Sequence, residues 1–229
     1  MRAIVLILSA LVVACSPADG PGAATEQTVP TPPSQAASAP PTAPVLDMTC
    51  AGPFRAGMTR ADLVGLFGAA NVTDGVEPGP EGMEIPVSYL FAADPARRAI
   101  VRWFDGPATT RAISGVYPDS LQPAWTMPGG LKPGADIAAV EAANGRPFDL
   151  SGFGWDYGGG ATDWKGGALG AGAPGCNVQV RFQHGQDVPE DALLSVSGDA
   201  IFASNLPAMR AVAPLASEVG LGFPAPGAG

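Results

Sequence analysis

Apolar residues along this chain fall into short runs separated by glycine, proline and polar residues. Two stretches carry a helical pattern. One is Gly57-Met58-Thr59-Arg60-Ala61-Asp62-Leu63-Val64-Gly65-Leu66-Phe67-Gly68, the other Gly134-Ala135-Asp136-Ile137-Ala138-Ala139-Val140-Glu141-Ala142-Ala143-Asn144-Gly145. Each opens with glycine and an N-cap residue, Thr59 or Asp136, whose side chain can satisfy an orphan amide. Thr59 and Asp62 make an acidic capping box, and Met58 can staple against Leu63. Gly68 and Gly145 suit left-handed C-caps. At about two and a half turns, neither helix is stable alone. Each must lay an apolar edge, such as Leu63, Leu66 and Phe67, on something flat. Four short runs bounded by turn residues predict the strands of that partner: Pro86–Phe91, Ala99–Phe104, Asn177–Phe182 and Ala192–Val196.

The two helical stretches align at an offset of 77, from Gly57 to Gly134 and from Gly68 to Gly145. Val101-Arg102-Trp103 with Gly106 aligns with Val180-Arg181-Phe182 with Gly185 at an offset of 79. Helix and strand therefore recur in the same order at nearly the same spacing. The expected fold is α+β: two tandem units, residues 47–128 and 129–221, with short helices packed on one side of an antiparallel sheet and a flexible tail at 222–229.

A short helix opening with Gly-Met-Thr and closing with Phe-Gly, followed by antiparallel strands, resembles the SmpA/OmlA domain of outer-membrane assembly lipoproteins. Two such units at this spacing resemble the β-lactamase inhibitor protein (BLIP) family. That resemblance spans about Asp47 to Ala211. It implies tandem helix-plus-sheet units forming one concave sheet that grips a partner protein. In that family the cysteines pair within each unit; here one falls in each half. The resemblance therefore carries the fold across but no target.

Upstream, Met1 to Cys15 is an apolar run with a single charge, Arg2. A charged start, an apolar stretch of about eleven residues and a small residue before the cut describe a signal peptide over residues 1–14. The run is short of the roughly 20 residues that span a bilayer. Val12-Val13-Ala14-Cys15 resembles a bacterial lipobox, which implies cleavage before Cys15 and acylation of its thiol and new amino terminus. Two or more acyl chains give stable anchoring. Residues 15–46 are proline, alanine, serine and threonine with almost no charge, a composition that reads as a disordered tether. As a flexible coil it would reach about 30 Å. The expected location is the bacterial cell envelope, lipid-anchored on the periplasmic face of the outer membrane.

The formal charge of −9 and the lack of a basic stripe make nucleic acid a poor partner. Beyond Cys15 there are two cysteines, Cys50 and Cys176, and export invites a disulfide between them. Sequence alone leaves two separate thiols open.

Candidate chemistry is sparse. His184 is the only histidine and no Gly-x-Ser-x-Gly elbow occurs. No CxxC or HExxH pattern offers a metal site, and no cofactor is expected. Asp156 and Asp163 are the one obvious carboxylate pair for sugar-bond hydrolysis, provided that both face one cleft. The most unusual stretch is the glycine-aromatic run from Gly152 to Gly170, with Trp155, Tyr157 and Trp164. Rigid aromatics bury much area at low entropic cost. With Trp103 these rings are the expected contact residues for an envelope protein partner, against the competing fate of packing in the core. The leading expectation is a non-enzymatic interaction module; the alternative is a cell-wall ligand-binding protein or a hydrolase using loop carboxylates.

Overall fold

The computed structural model describes residues 46–172 and 174–227. The expected signal peptide, Cys15 and nearly all of the expected tether lie outside these residues. The chain is α+β, and every pairing between its named strands is antiparallel. The first half runs α1 (Arg60–Phe67), β1 (Val72–Pro78), β2 (Glu84–Leu90), β3 (Ala99–Trp103) and β4 (Ile113–Pro118). The second runs α2 (Ile137–Asn144), β5 (Asp149–Ser151), β6 (Ala161–Asp163), β7 (Asn177–Gln183), α3 (Glu190–Leu194), β8 (Ile201–Ala203), α4 (Pro207–Ala211) and β9 (Leu215–Gly222).

Six strands form one sheet in the order β1-β2-β3-β4-β9-β7, so β4 and β9 join the halves at its centre. A second sheet, β6-β5-β8, lies beyond β7. An antiparallel bridge from Gly160 to Arg181 and a hydrogen bond from the Phe182 amide to the Gly159 carbonyl (2.8 Å) tie it there.

The helices form where their caps predict. Asp136 accepts from the Ala139 amide at 2.7 Å, and Gly145 takes the left-handed conformation. At α1 the expected Thr59–Asp62 capping box is present, with Asp62 accepting from both the amide and the hydroxyl of Thr59, at 2.7 and 2.8 Å. Gly68 sits at φ 85°, ψ 145°, outside the left-handed helical region. Leu63 and Phe67 are buried, but Leu66 is 43% exposed, so the docking edge is narrower than expected. Leu63 and Phe67 of α1, Ile137 and Val140 of α2, and Met209 of α4 enter the same core as Val101, Val116, Val180 and Val219. That core holds an aromatic cluster of Phe54, Phe67, Phe91 and Trp125.

Of the four expected strands, Ala192–Val196 is not one. Its first residues belong to α3. Glu190 and Asp191 sit in the first turn, where negative charge complements the helix dipole, and a short apolar run cannot by itself tell helix from strand.

The free edge of β1 is protected. The register leaves the Val72 and Val76 carbonyls facing away from β2. Arg60 donates to the first at 3.2 Å and Tyr89 to the second at 3.1 Å, while Pro78 has no N–H to offer.

The halves share local geometry. The β3–β4 ladder shifts register between Arg102 and Trp103, and the β7–β9 ladder shifts between Arg181 and Phe182. The Ile113 amide donates to Met58 and the Ala216 amide to Ala135, both at 2.8 Å. Met58 and Ala135 each immediately precede a helix N-cap.

Cys50 and Cys176 are joined in a disulfide with Cα atoms 5.7 Å apart. It ties the segment entering the domain to the residue just before β7. The strand β9 runs through Leu221 to Gly222, and Phe223 beyond it is buried, with its amide donating to Ser114 at 3.0 Å.

Candidate functional site

The sheet face opposite the core carries Glu77, Val87, Arg102, Tyr117, Gln179, Arg181 and Glu218, by strand alternation and register. Its relief is low because large side chains lie flat over glycines. A Cβ at Gly115 would meet the Tyr117 ring at 2.8 Å, and one at Gly75 would meet Tyr89 at 2.4 Å. Bulkier residues would lift these rings off the sheet.

Arg102 is the electrostatic centre of this face. It donates to Glu218 at 2.6 Å and to Glu77 at 3.1 Å, joining β9, β3 and β1. Its guanidinium stacks over Tyr117, 4.7 Å from the ring centroid. Burial alone would favour the neutral arginine; the two glutamates outweigh it and hold its pKa above the usual value. Tyr117 donates to Gln179. Burial, followed by the charge of Glu218, pushes the Tyr117 hydroxyl up to about 12.

A hollow of about 400 Å³ runs from Arg102, Tyr117 and Glu218 to Arg181 and Tyr157, and no residue of the four helices lines it. Arg181 lies at the boundary with a second groove of about 620 Å³ between residues 153–158 and the loop after β7. Arg181 has turned inward: its Nε donates to the Gly158 carbonyl at 3.1 Å and a second guanidinium N–H donates to the Asp156 carbonyl. It thereby holds the turn that presents Trp155 and Tyr157.

Those two rings form an edge-to-face pair, centroids 5.4 Å apart, and stand 37% and 73% exposed. The Trp155 indole N–H donates to the Gly152 carbonyl at 3.0 Å, so what it offers outward is apolar ring. Of the other two expected rings, Trp164 also lines the 400 Å³ hollow, and Trp103 lies outside it. Trp103 and Trp164 are half-buried against the core. Trp164 packs 5.1 Å from Phe148 and donates to the Val178 carbonyl. Trp103 lines a smaller hollow with Arg60, Asp74 and Arg111.

Asn144 anchors the glycine-aromatic run. It is fully buried and satisfied: its amide nitrogen donates to the Arg146 and Trp164 carbonyls, both at 3.0 Å, and its oxygen accepts from the Leu169 amide at 3.2 Å.

Neither Asp156 nor Asp163, the expected carboxylate pair, lines the 400 Å³ or the 620 Å³ hollow. The backbone amide of Lys165, at 2.7 Å, and then its ammonium hold Asp163 below the usual carboxylate range. Lys165 also pairs with Asp149. A general acid needs the opposite displacement. Asp156 belongs to the turn held by Arg181. Exposed His184 meets Phe153 edge-on. Among the described residues no three His, Cys, Asp or Glu side chains are grouped to hold a metal, and no helix is long and apolar enough to cross a membrane.

The arginine network was missed in the sequence, although Arg102 and Arg181 stand inside the very triplets that align at an offset of 79. A charge at matched positions within two apolar strands was the available signal. No protein-family model, curated protein or solved structure matches this chain.

Proposed function

We propose that the protein is a lipid-anchored lipoprotein of the bacterial envelope, whose folded part is a non-enzymatic module that binds another envelope protein through the open sheet face and its aromatic turn. The observation that carries this reading is the exposed Trp155–Tyr157 pair beside an open, low-relief face bearing Arg102, Tyr117 and Arg181. Trp, Tyr and Arg are the residue types enriched at binding hot spots. Capping of the β1 edge disfavours strand addition at that end of the six-stranded sheet.

The matched bulges and matched amide bonds support reading the halves as tandem copies of one unit, in the manner of the BLIP-like architecture. Their pairing through β4 and β9 yields the single broad surface that such binding uses. Trp155 and Tyr157 are retained as the principal contact residues, Trp164 as part of the wall of the same hollow, and Trp103 serves packing. Anchoring rests on Val12-Val13-Ala14-Cys15.

The test is photo-crosslinking in intact cells with benzoylphenylalanine at Tyr157, and at exposed Leu121, which lines neither hollow, as control. A discrete adduct at the first position and none at the second supports the reading. Trp155→Ala should lower its yield while leaving the melting temperature unchanged. Absence of any protein adduct at position 157 overturns it. Cys15→Ser should release the protein from membranes; retention through an acyl group elsewhere would refute the anchor.

A further inference from the structure

The groove on the far side of the aromatic turn has its own chemistry. Phe153, Gly154, Trp155 and Gly158 form one wall; Gln183, His184, Gln186 and Asp187 line the other. At about 620 Å³ it falls within the size range of small-molecule sites. Only Trp155 of the exposed aromatic pair lines it, Tyr157 facing the other hollow. With its N–H spent on Gly152, the indole offers a π surface and no donor.

The opposite wall is rich in acceptors. His184 Nδ1 lies 2.8 Å from the Gly185 carbonyl. An N–H placed there leaves Nε2 as an open acceptor. Asp187 adds a carboxylate, and Gln183 and Gln186 add amides able to accept and donate; all four side chains are exposed. The nearest cation, Arg181, is engaged with the Asp156 and Gly158 carbonyls. Anionic ligands therefore meet no free positive charge and one negative one. A cation cage would need several rings converging on one point, and this groove has a single exposed ring.

A ligand matched to one apolar platform and an acceptor-rich wall has a face of C–H bonds and a rim of hydroxyl donors. C–H groups carry slight positive charge and suit the negative face of an aromatic ring. We infer that this groove binds a neutral saccharide chain, with one pyranose ring on Trp155 and its hydroxyls directed to Asp187, His184 and the two glutamines. This site shares Trp155 with the proposed protein contact, whereas Tyr157, Arg102 and Tyr117 line only the other hollow.

Calorimetric titration of the full-length protein with chitotetraose, cellotetraose and maltotetraose tests the inference, with spermidine as the cationic competitor. Saturable binding of at least one saccharide is expected. Trp155→Ala and Asp187→Ala should each weaken it about tenfold or more. Thermal unfolding of each variant checks that folding is intact, and because Asp187 sits at φ 58°, a conformation that Asn tolerates better than Ala, Asp187→Asn serves as a second carboxylate variant with the same expected loss. Trp155→Phe should restore most of the affinity, and Tyr157→Ala should leave it unchanged. Binding of no saccharide, binding insensitive to both alanine variants, or binding of spermidine alone overturns the inference. Tyr157→Ala separates the two readings: with benzoylphenylalanine moved to exposed Thr162 of the same hollow, it should lower the protein adduct and spare the saccharide.

Discussion

Arg102 and Arg181 stand at the same point of two matched strand pairs, each immediately before the residue at which the ladder shifts register. A bulge re-aims side chains and increases local twist, and here it accompanies a guanidinium on the open face in both halves. The two are used differently. Arg102 knits strands together through Glu77 and Glu218, whereas Arg181 holds a turn through its carbonyls.

Removing each should therefore have a different signature. Arg102→Ala leaves two half-buried glutamates without their cation and should cost about 1–3 kcal/mol of global stability. Arg181→Ala should act locally, speeding amide hydrogen exchange at residues 154–159 while the slowest-exchanging core amides change little. Hydrogen exchange by mass spectrometry checks both. If Arg181→Ala accelerated the whole sheet equally, the turn would not be its particular charge.

The caps and the two aligned strand triplets were legible in the sequence because they are local. Asp136 needs only Ala139, and Gly145 only its own backbone. The site was harder to read because its partners are remote: Arg102 meets Glu77 from 25 residues away and Glu218 from 116. Strands β1 and β9 escaped for a related reason. Gly75, Pro78, Gly220 and Gly222 interrupt their apolar pattern, yet Gly75 answers the Tyr89 ring and Gly220 the Tyr117 ring on neighbouring strands. A glycine required by a neighbour's side chain looks, in sequence, like a turn.

Tyr117 gives the sheet an alkaline limit. Its folded pKa is raised from 10.0 to about 12, chiefly by burial. In that interval the unfolded chain has released the proton and the folded chain retains it. The unfolded state thus binds fewer protons, and stability falls as pH rises. The contribution is intact below about pH 10 and is lost at up to about 1.4 kcal/mol per pH unit on the way to 12. Tyr117→Phe loses the bond to Gln179 at neutral pH but should show a shallower alkaline slope. Urea unfolding from about pH 9 to 11.5 compares them; equal slopes would refute the assignment.

Asn144 should be among the least replaceable polar residues. Asn144→Ala would strand the Arg146 carbonyl and the Leu169 amide and take one of two donors from the Trp164 carbonyl, which keeps the Gly167 amide at 2.9 Å. The expected cost is about 2–4 kcal/mol. Asn144→Asp keeps the shape but replaces the donor with a second acceptor facing two carbonyls, so it should be at least as damaging near neutral pH. Thermal unfolding of both variants is the measurement. An Asp variant as stable as the native chain would mean that these carbonyls find other donors.

The Cys50–Cys176 bridge closes a separation of 126 residues. Most of the folded chain lies inside that loop, so the crosslink chiefly restricts the unfolded state. On the entropic account it is worth roughly 4–5 kcal/mol. The segment it fastens also has its own contacts: buried Met48 donates through its amide to Thr126, and the Leu46 carbonyl accepts from the Thr126 amide, both at 2.8 Å. These bonds belong to the native state and should persist without the bridge. The double variant Cys50→Ala, Cys176→Ala should therefore keep the native fold while unfolding at a much lower urea concentration. Its m-value should rise, because the freed unfolded chain exposes more surface. A loss below about 1 kcal/mol with an unchanged m-value would show that the unfolded chain stays compact without the crosslink. Loss of the Met48–Thr126 contact in the variant, seen as fast exchange confined to residues 46–50, would instead make the bridge the element that holds this segment in place.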